Sequence, residues 1–127
     1  VSCSEHIHPN GATSYKIEID DYKIVYSTDC EHPDEILNND VVNFAKDSDI
    51  LIHDSHFTPN DLKLHSGWGH SSWKQATDVA KKADTKNLLL FHYSPEYDDK
   101  TIHEIETEAQ MIFNNTTASK QGLTIKF

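Results

Sequence analysis

At 127 residues, 36 % hydrophobic and 25 % charged, the sequence has the bulk of one compact domain and suits a globular protein better than a disordered one. No apolar run approaches the roughly 20 residues of a membrane span, and no charged-then-apolar leader opens the chain. Acidic residues outnumber basic ones 21 to 11, a net charge of -10, so extended contact with nucleic acid or anionic lipid is not expected. Cys3 and Cys30 make no disulfide framework and suit a reduced, cytoplasmic protein. The chain opens on Val1 rather than Met, which reads as a processed, truncated or split polypeptide. Nine histidines are the compositional anomaly, because His is the commonest metal ligand and the usual proton carrier near neutral pH.

In chain order, Tyr15 to Ile19 and Tyr22 to Tyr26 alternate apolar and polar residues around Asp20-Asp21, which predicts a hairpin. From about Asp34 to Lys46 the apolar positions have helical spacing. Asp49 to His53 is a short apolar run, expected as a buried strand. Ser71 to Ala83 reads as an amphipathic helix with Trp73, Ala76, Val79, Ala80 and Ala83 on one face. Asn87 to His92 is a second buried strand. A helix follows, with capping-box spacing at Thr101 and Glu104 and a possible start nearer Asp99. Gly122 precedes an expected final strand, Leu123 to Phe127. Strands alternate with helices in the second half, so an α/β fold with a mixed sheet covered by helices is expected, as a single domain over 1–127.

Three apolar strands end on polar residues with ligand chemistry: Asp29, the pair His53-Asp54, and His92. Ligands collect outside the carboxyl ends of strands in α/β sheets, and carboxylate with imidazole is a donor set for a borderline divalent cation. Cys30 is an alternative ligand to Asp29, which stands directly at the strand end. Two loops add histidines. His6 and His8 precede Pro9-Asn10-Gly11, and Gly67-Trp-Gly-His70 leads into the helix at Ser71. His70 either caps that helix or donates a proton with Asp54 nearby. His56 either lines the cleft or caps its loop. His32, His65 and His103 lie in polar surroundings and are expected at the surface.

The stretches His8-Pro-Asn-Gly with Tyr15, Tyr26-Ser-Thr-Asp-Cys-Glu-His32, Ile50-Leu-Ile-His-Asp54, Trp68-Gly-His-Ser-Ser72 and Phe91-His-Tyr-Ser-Pro95 stand in the order and spacing of a known family. They resemble the C-terminal portion of the metallo-β-lactamase superfamily, in its ribonuclease Z-like and phosphodiesterase-like branches. The resemblance implies the C-terminal half of an αββα sandwich and a hydrolase with two divalent metal ions, zinc or manganese. His8 would bind the first metal, Asp29 would bridge, and His92 would bind the second. His70 would act as acid or phosphate contact, paired with Asp54 where ribonuclease Z has a longer Glu.

Two departures matter. Nothing here matches the family's His-x-His-x-Asp-His signature, which would lie upstream of Val1, so the chain holds an incomplete site. The N-terminal half of the fold or a second copy would complete it. Only positions 9–28 separate His8 from Asp29, leaving no room for the basic substrate-gripping arm of ribonuclease Z. Transfer RNA processing is therefore disfavoured, and a small phosphodiester such as a cyclic nucleotide is the expected substrate. The alternatives are a non-catalytic binding or scaffold module and a thioester hydrolase.

Overall fold

The computed structural model describes residues 1–33 and 36–126. Six strands form one sheet in the order β1 (Ser2–His6), β2 (Ala12–Ile19), β3 (Tyr22–Ser27), β4 (Ile50–Asp54), β5 (Asn87–Phe91) and β6 (Thr116–Ala118). The pairs β1–β2 and β2–β3 are antiparallel, while β3–β4, β4–β5 and β5–β6 are parallel. Each parallel step is bridged by helix: α1 (Asn39–Ala45), then α2 (Pro59–Leu62) and α3 (Trp73–Lys82), then α4 (Asp99–Ile112). As a result β1, β3, β4 and β5 all run toward the same rim, and their last residues meet there.

The core lies between the sheet and α1, α3 and α4. Val25, Leu51, Leu88 and Leu90 project from the strands onto Val41, Val42, Ala76, Val79, Ala80, Ile105 and Ala109. The small residues of α3 at helical spacing let its axis approach the sheet. A reciprocal capping box starts that helix: Ser72 Oγ accepts from the Gln75 amide at 3.2 Å, and Gln75 Oε1 accepts from the Ser72 amide at 3.0 Å. The opposite face of the sheet is apolar as well. Tyr15, Tyr26, Ile52 and Leu89 stand in one row across four strands, with Ile17 and Ile24 in the next. Tyr15 remains 47 % exposed and Ile19 59 %.

Several expected boundaries shift. The hairpin, the two buried strands and α3 fall where the pattern places them, to within a few residues. The expected helix start at Asp34 lies outside the described residues, and the described helix begins at Asn39 with Asn38 as its cap. Helix α4 is capped by Asp98, whose carboxylate accepts from the Thr101 amide at 2.8 Å, rather than by Thr101 itself. The expected last strand is not formed over 123–126, and Phe127 lies outside the described residues. The open edge of β5 is instead taken by Thr116–Ala118, and Gly122 in the left-handed region turns the chain away. No helix among the described residues is long and apolar enough to cross a membrane.

Beneath the rim the core turns polar. His32 is buried, not exposed as its charged neighbours suggest, because its ring stacks on His53 at 5.4 Å between centroids. The protons in this pair are fixed by their partners. The Asn38 amide donates to His32 Nδ1 at 2.9 Å, which leaves the His32 proton on Nε2, 3.4 Å from His53 Nε2. His53 Nδ1–H donates to the Asp54 carbonyl at 2.7 Å, so its Nε2 is free to accept. Cys30 Sγ lies 3.7 Å from the same nitrogen. Its thiol is pushed up to about 12, first by burial and then by the Asp54 charge. Although these three side chains are close enough to hold a cation, the proton order makes His32 Nε2 a donor.

Two outcomes follow for stability. Replacing Ser72 with Ala removes half of the α3 capping box and costs about 1 kcal/mol, read as a lower urea midpoint. Burial, and then the neighbouring His53, lowers the His32 pKa to about 3, and burial lowers that of His53 too. Both groups bind protons more readily in the unfolded chain, whose histidines titrate near about 6.5. Their contribution is therefore complete above that pH and is lost as pH falls toward the folded values. Urea unfolding at stepped pH is expected to show stability declining from about pH 6.5, above the carboxylate range; a flat profile down to pH 5 contradicts this.

Candidate active site

The rim is organised around one carboxylate. Asp54, the last residue of β4, has no exposed side-chain surface, yet it accepts five hydrogen bonds. Its Oδ2 takes His70 Nδ1 at 3.0 Å, His92 Nδ1 at 3.2 Å and the Asp29 amide at 3.0 Å. Its Oδ1 takes the Ser71 amide at 3.0 Å and the His56 amide at 3.1 Å. Burial opposes its ionisation, but the bonds from His70, His92 and Ser71 outweigh it and hold the carboxyl well below the usual carboxylate range. Asp54 is thus a buried anion with its acceptor sites filled.

Filling those sites sets the rings above. With Nδ1–H given to Asp54, the neutral forms of His70 and His92 carry their free lone pair on Nε2. His92 Nε2 stands 3.8 Å from Asp29 Oδ1, and His8 Nε2 stands 3.8 Å from the same oxygen. The bond to Asp54 raises the His92 pKa against the opposing pull of burial. Asp29, 42 % exposed in its side chain, lies between the two imidazoles at the mouth of the rim. Asp29 (φ 53°), two residues past β3, and His92 (φ 63°), directly after β5, both occupy the left-handed region. Such backbone costs of order 1–3 kcal/mol and persists where surrounding contacts over-determine it, as the Asp54 network does here.

The separations suit a cation. At 3.8 Å the imidazole–carboxylate pairs are too long for hydrogen bonds, and short enough for both donors to reach one ion at about 2.0–2.2 Å. Donor atoms of His8, Asp29 and His70 lie within 4.8 Å of one another, as do those of His56, His70 and His92. The five residues singled out from the sequence, His8, Asp29, Asp54, His70 and His92, are therefore brought together in one place.

Neighbouring histidines sort by their partners. His6 is withdrawn: its Nε2–H donates to the Thr28 carbonyl at 3.0 Å and its Nδ1 accepts from Ser14 Oγ at 2.7 Å. His56 belongs to the rim, with its ring stacked on His70 at 4.1 Å and Nδ1–H donating to the His92 carbonyl at 2.8 Å. Its position two residues past Asp54 is the only sequence signal for this. His65 is half-buried against Phe57 rather than free at the surface, and His103 is exposed as expected.

The loop carrying His70 is held from two sides. Glu31 accepts the Gly67 amide at 2.6 Å and the Gly69 amide at 2.9 Å. Gly69 has φ 89°, and a Cβ there would fall 2.2 Å from His8 Cδ2, so glycine lets the loop lie against His8. The Glu31 contact spans 36 residues and leaves no trace in the sequence.

The profile of the beta-lactamase superfamily domain matches residues 4–93. Ribonuclease Z of Picrophilus torridus is 41 % identical over 85 residues, covering 67 % of this chain and 27 % of the relative. Ribonuclease Z of Sulfurisphaera tokodaii is 47 % identical over 76 residues, covering 60 % and 25 %. The chain thus spans only about a quarter of the length of these relatives. Among solved structures, the metallo-beta-lactamase fold protein YhfI from Bacillus subtilis superposes with a TM-score of 0.78 at 23 % identity, over 96 % of this chain and 47 % of that one. Human tRNase Z, short form, gives 0.73 at 19 % identity, over 98 % and 41 %.

These relatives overturn one expectation. A small phosphodiester substrate, with extended contact to nucleic acid not expected, does not agree with relatives named as ribonucleases and a neighbour named as a tRNase. The reasoning from charge failed because -10 is a sum over the whole chain, whereas the rim presents imidazoles and one exposed carboxylate. The missing arm between His8 and Asp29 likewise concerns only the stretch that aligns with 27 % of that relative. With the profile matching more than half of its residues, the chain belongs to the beta-lactamase superfamily.

Proposed function

We propose that this chain supplies the metal-binding rim of a hydrolase that cleaves RNA phosphodiester bonds in the full-length protein. The observation that carries the proposal is Asp29 standing 3.8 Å from both His8 and His92 above the buried Asp54. Relatives at 41 % and 47 % identity that are named ribonuclease Z support RNA over a thioester. The filled donor positions argue against a scaffold that has lost its site.

His8 and Asp29 would hold one divalent cation and Asp29 and His92 a second, with Asp29 shared between them. Imidazole nitrogen with carboxylate oxygen suits zinc and manganese alike. Ions bound there supply charge stabilisation at the phosphoryl oxygens and an acidified water at neutral pH. The chain's own residues do the rest. Asp54 touches no substrate, being fully buried; it is a positioning residue that aims His70 and His92. His70, with Nδ1 held by Asp54, presents Nε2 as the atom that would take up a proton and pass it to the leaving oxygen. His56, stacked on His70, keeps that ring from rotating away.

The test uses the full-length protein with zinc or manganese and a short RNA. Cleavage is expected, with loss on chelation and recovery on returning the metal. Asp29→Ala removes a donor shared by both ions and should lower bound metal and cleavage by at least about a hundredfold, since loss of a group merely supporting a ligand already costs about 10–100-fold. Cleavage that survives chelation, or an Asp29→Ala variant with full activity, overturns the proposal.

A further inference from the structure

Trp68 is left largely in water. It is 58 % exposed, while Trp73, five residues on, is 6 % exposed in the core. An indole offers a large flat apolar face, and this one stands two residues before His70. The support here is rigid. Gly67 and Gly69 flank the tryptophan, both in the left-handed region, and both donate their amides to Glu31. The Trp68 amide donates to the His65 carbonyl at 3.2 Å. Gly69 lies so close to His8 that no side chain fits between them. The clamp that places His70 therefore also fixes Trp68.

Aromatic rings run without a break from solvent to the rim. The Trp68 ring meets His65 at 4.6 Å and Phe57 at 6.4 Å between centroids, both near perpendicular. Phe57 in turn meets His70 at 6.0 Å, and His70 meets His92 at 5.1 Å. The exposed indole is thus two ring contacts from the group assigned to pass a proton to the leaving oxygen.

What an indole can grip is set by its flat π-face rather than by charge. Stacking on a flat ring needs no positive charge and tolerates any base. We propose that Trp68 is a stacking platform for an unpaired nucleobase of the RNA, next to the bond cleaved at the rim. This rests on the RNA hydrolase reading above and adds the residue that holds the strand in place. A peptide segment or the remainder of the protein's own fold would be a different occupant, and the test separates them.

The experiment compares full-length wild type, Trp68→Ala and Trp68→Phe on a short RNA and on the same RNA with abasic residues flanking the cleaved bond. Trp68→Ala is expected to raise KM on the intact RNA about tenfold with little change in kcat, within the range one stacked base contributes. Trp68→Phe should restore most of that loss, and the wild-type preference for intact over abasic RNA should shrink about tenfold in the alanine variant. RNA should also quench the fluorescence component that Trp68→Phe removes. Cleavage with unchanged KM and preference in Trp68→Ala overturns the platform and leaves the hydrolase standing. Trp68-dependent quenching without cleavage overturns the hydrolase and leaves the platform. An indole at position 68 that acrylamide cannot reach in the full-length protein places it under the remaining fold and overturns the platform directly.

Discussion

Everything at the rim depends on a buried carboxylate with five donors. A charge removed from water is costly unless hydrogen bonds replace the solvent, and Asp54 meets that condition from four separate segments. The Asp29 amide comes from the end of β3, the His56 amide from the loop after β4, the Ser71 amide and His70 ring from the start of α3, and the His92 ring from the end of β5. Removing any one donor leaves part of the charge uncompensated. The same bonds that stabilise Asp54 therefore dictate where the imidazoles stand and which nitrogen each presents.

The sheet makes this convergence possible. Parallel pairing of β3, β4 and β5 brings their carboxyl ends level, so residues 25, 38 and 63 positions apart meet within a few ångströms: Asp29 and Asp54, Asp54 and His92, Asp29 and His92. The left-handed backbone at Asp29 and His92 turns each chain sharply at the strand end, so that the side chain stays at the rim. Below them, the proton order from Asn38 through His32 and His53 ends on the Asp54 carbonyl, so the backbone of the central residue is tied from beneath as well.

Much of this was legible in the residues. Strand ends can be read because an apolar run stops at a polar residue, which is how Asp29, Asp54 and His92 stand out. Other features have no local pattern. Strand β1, Ser-Cys-Ser-Glu-His, carries no apolar alternation and forms because β2 offers an edge. The burial of His32 follows from stacking on a ring 21 residues away, against every cue from its neighbours. Glu31 reads as one more acidic residue until its two amide partners are seen. Net charge misled most, because a sum over the chain carries no information about which groups face the rim.

The most direct test of this account is the side-chain nitrogen NMR spectrum of His70 and His92 in the metal-free protein near pH 8. Asp54 as organiser requires both rings to carry the proton on Nδ1 and to leave Nε2 bare, with the pattern lost in Asp54→Ala. Protons found on Nε2 of either ring, or a pattern indifferent to Asp54→Ala, would contradict it.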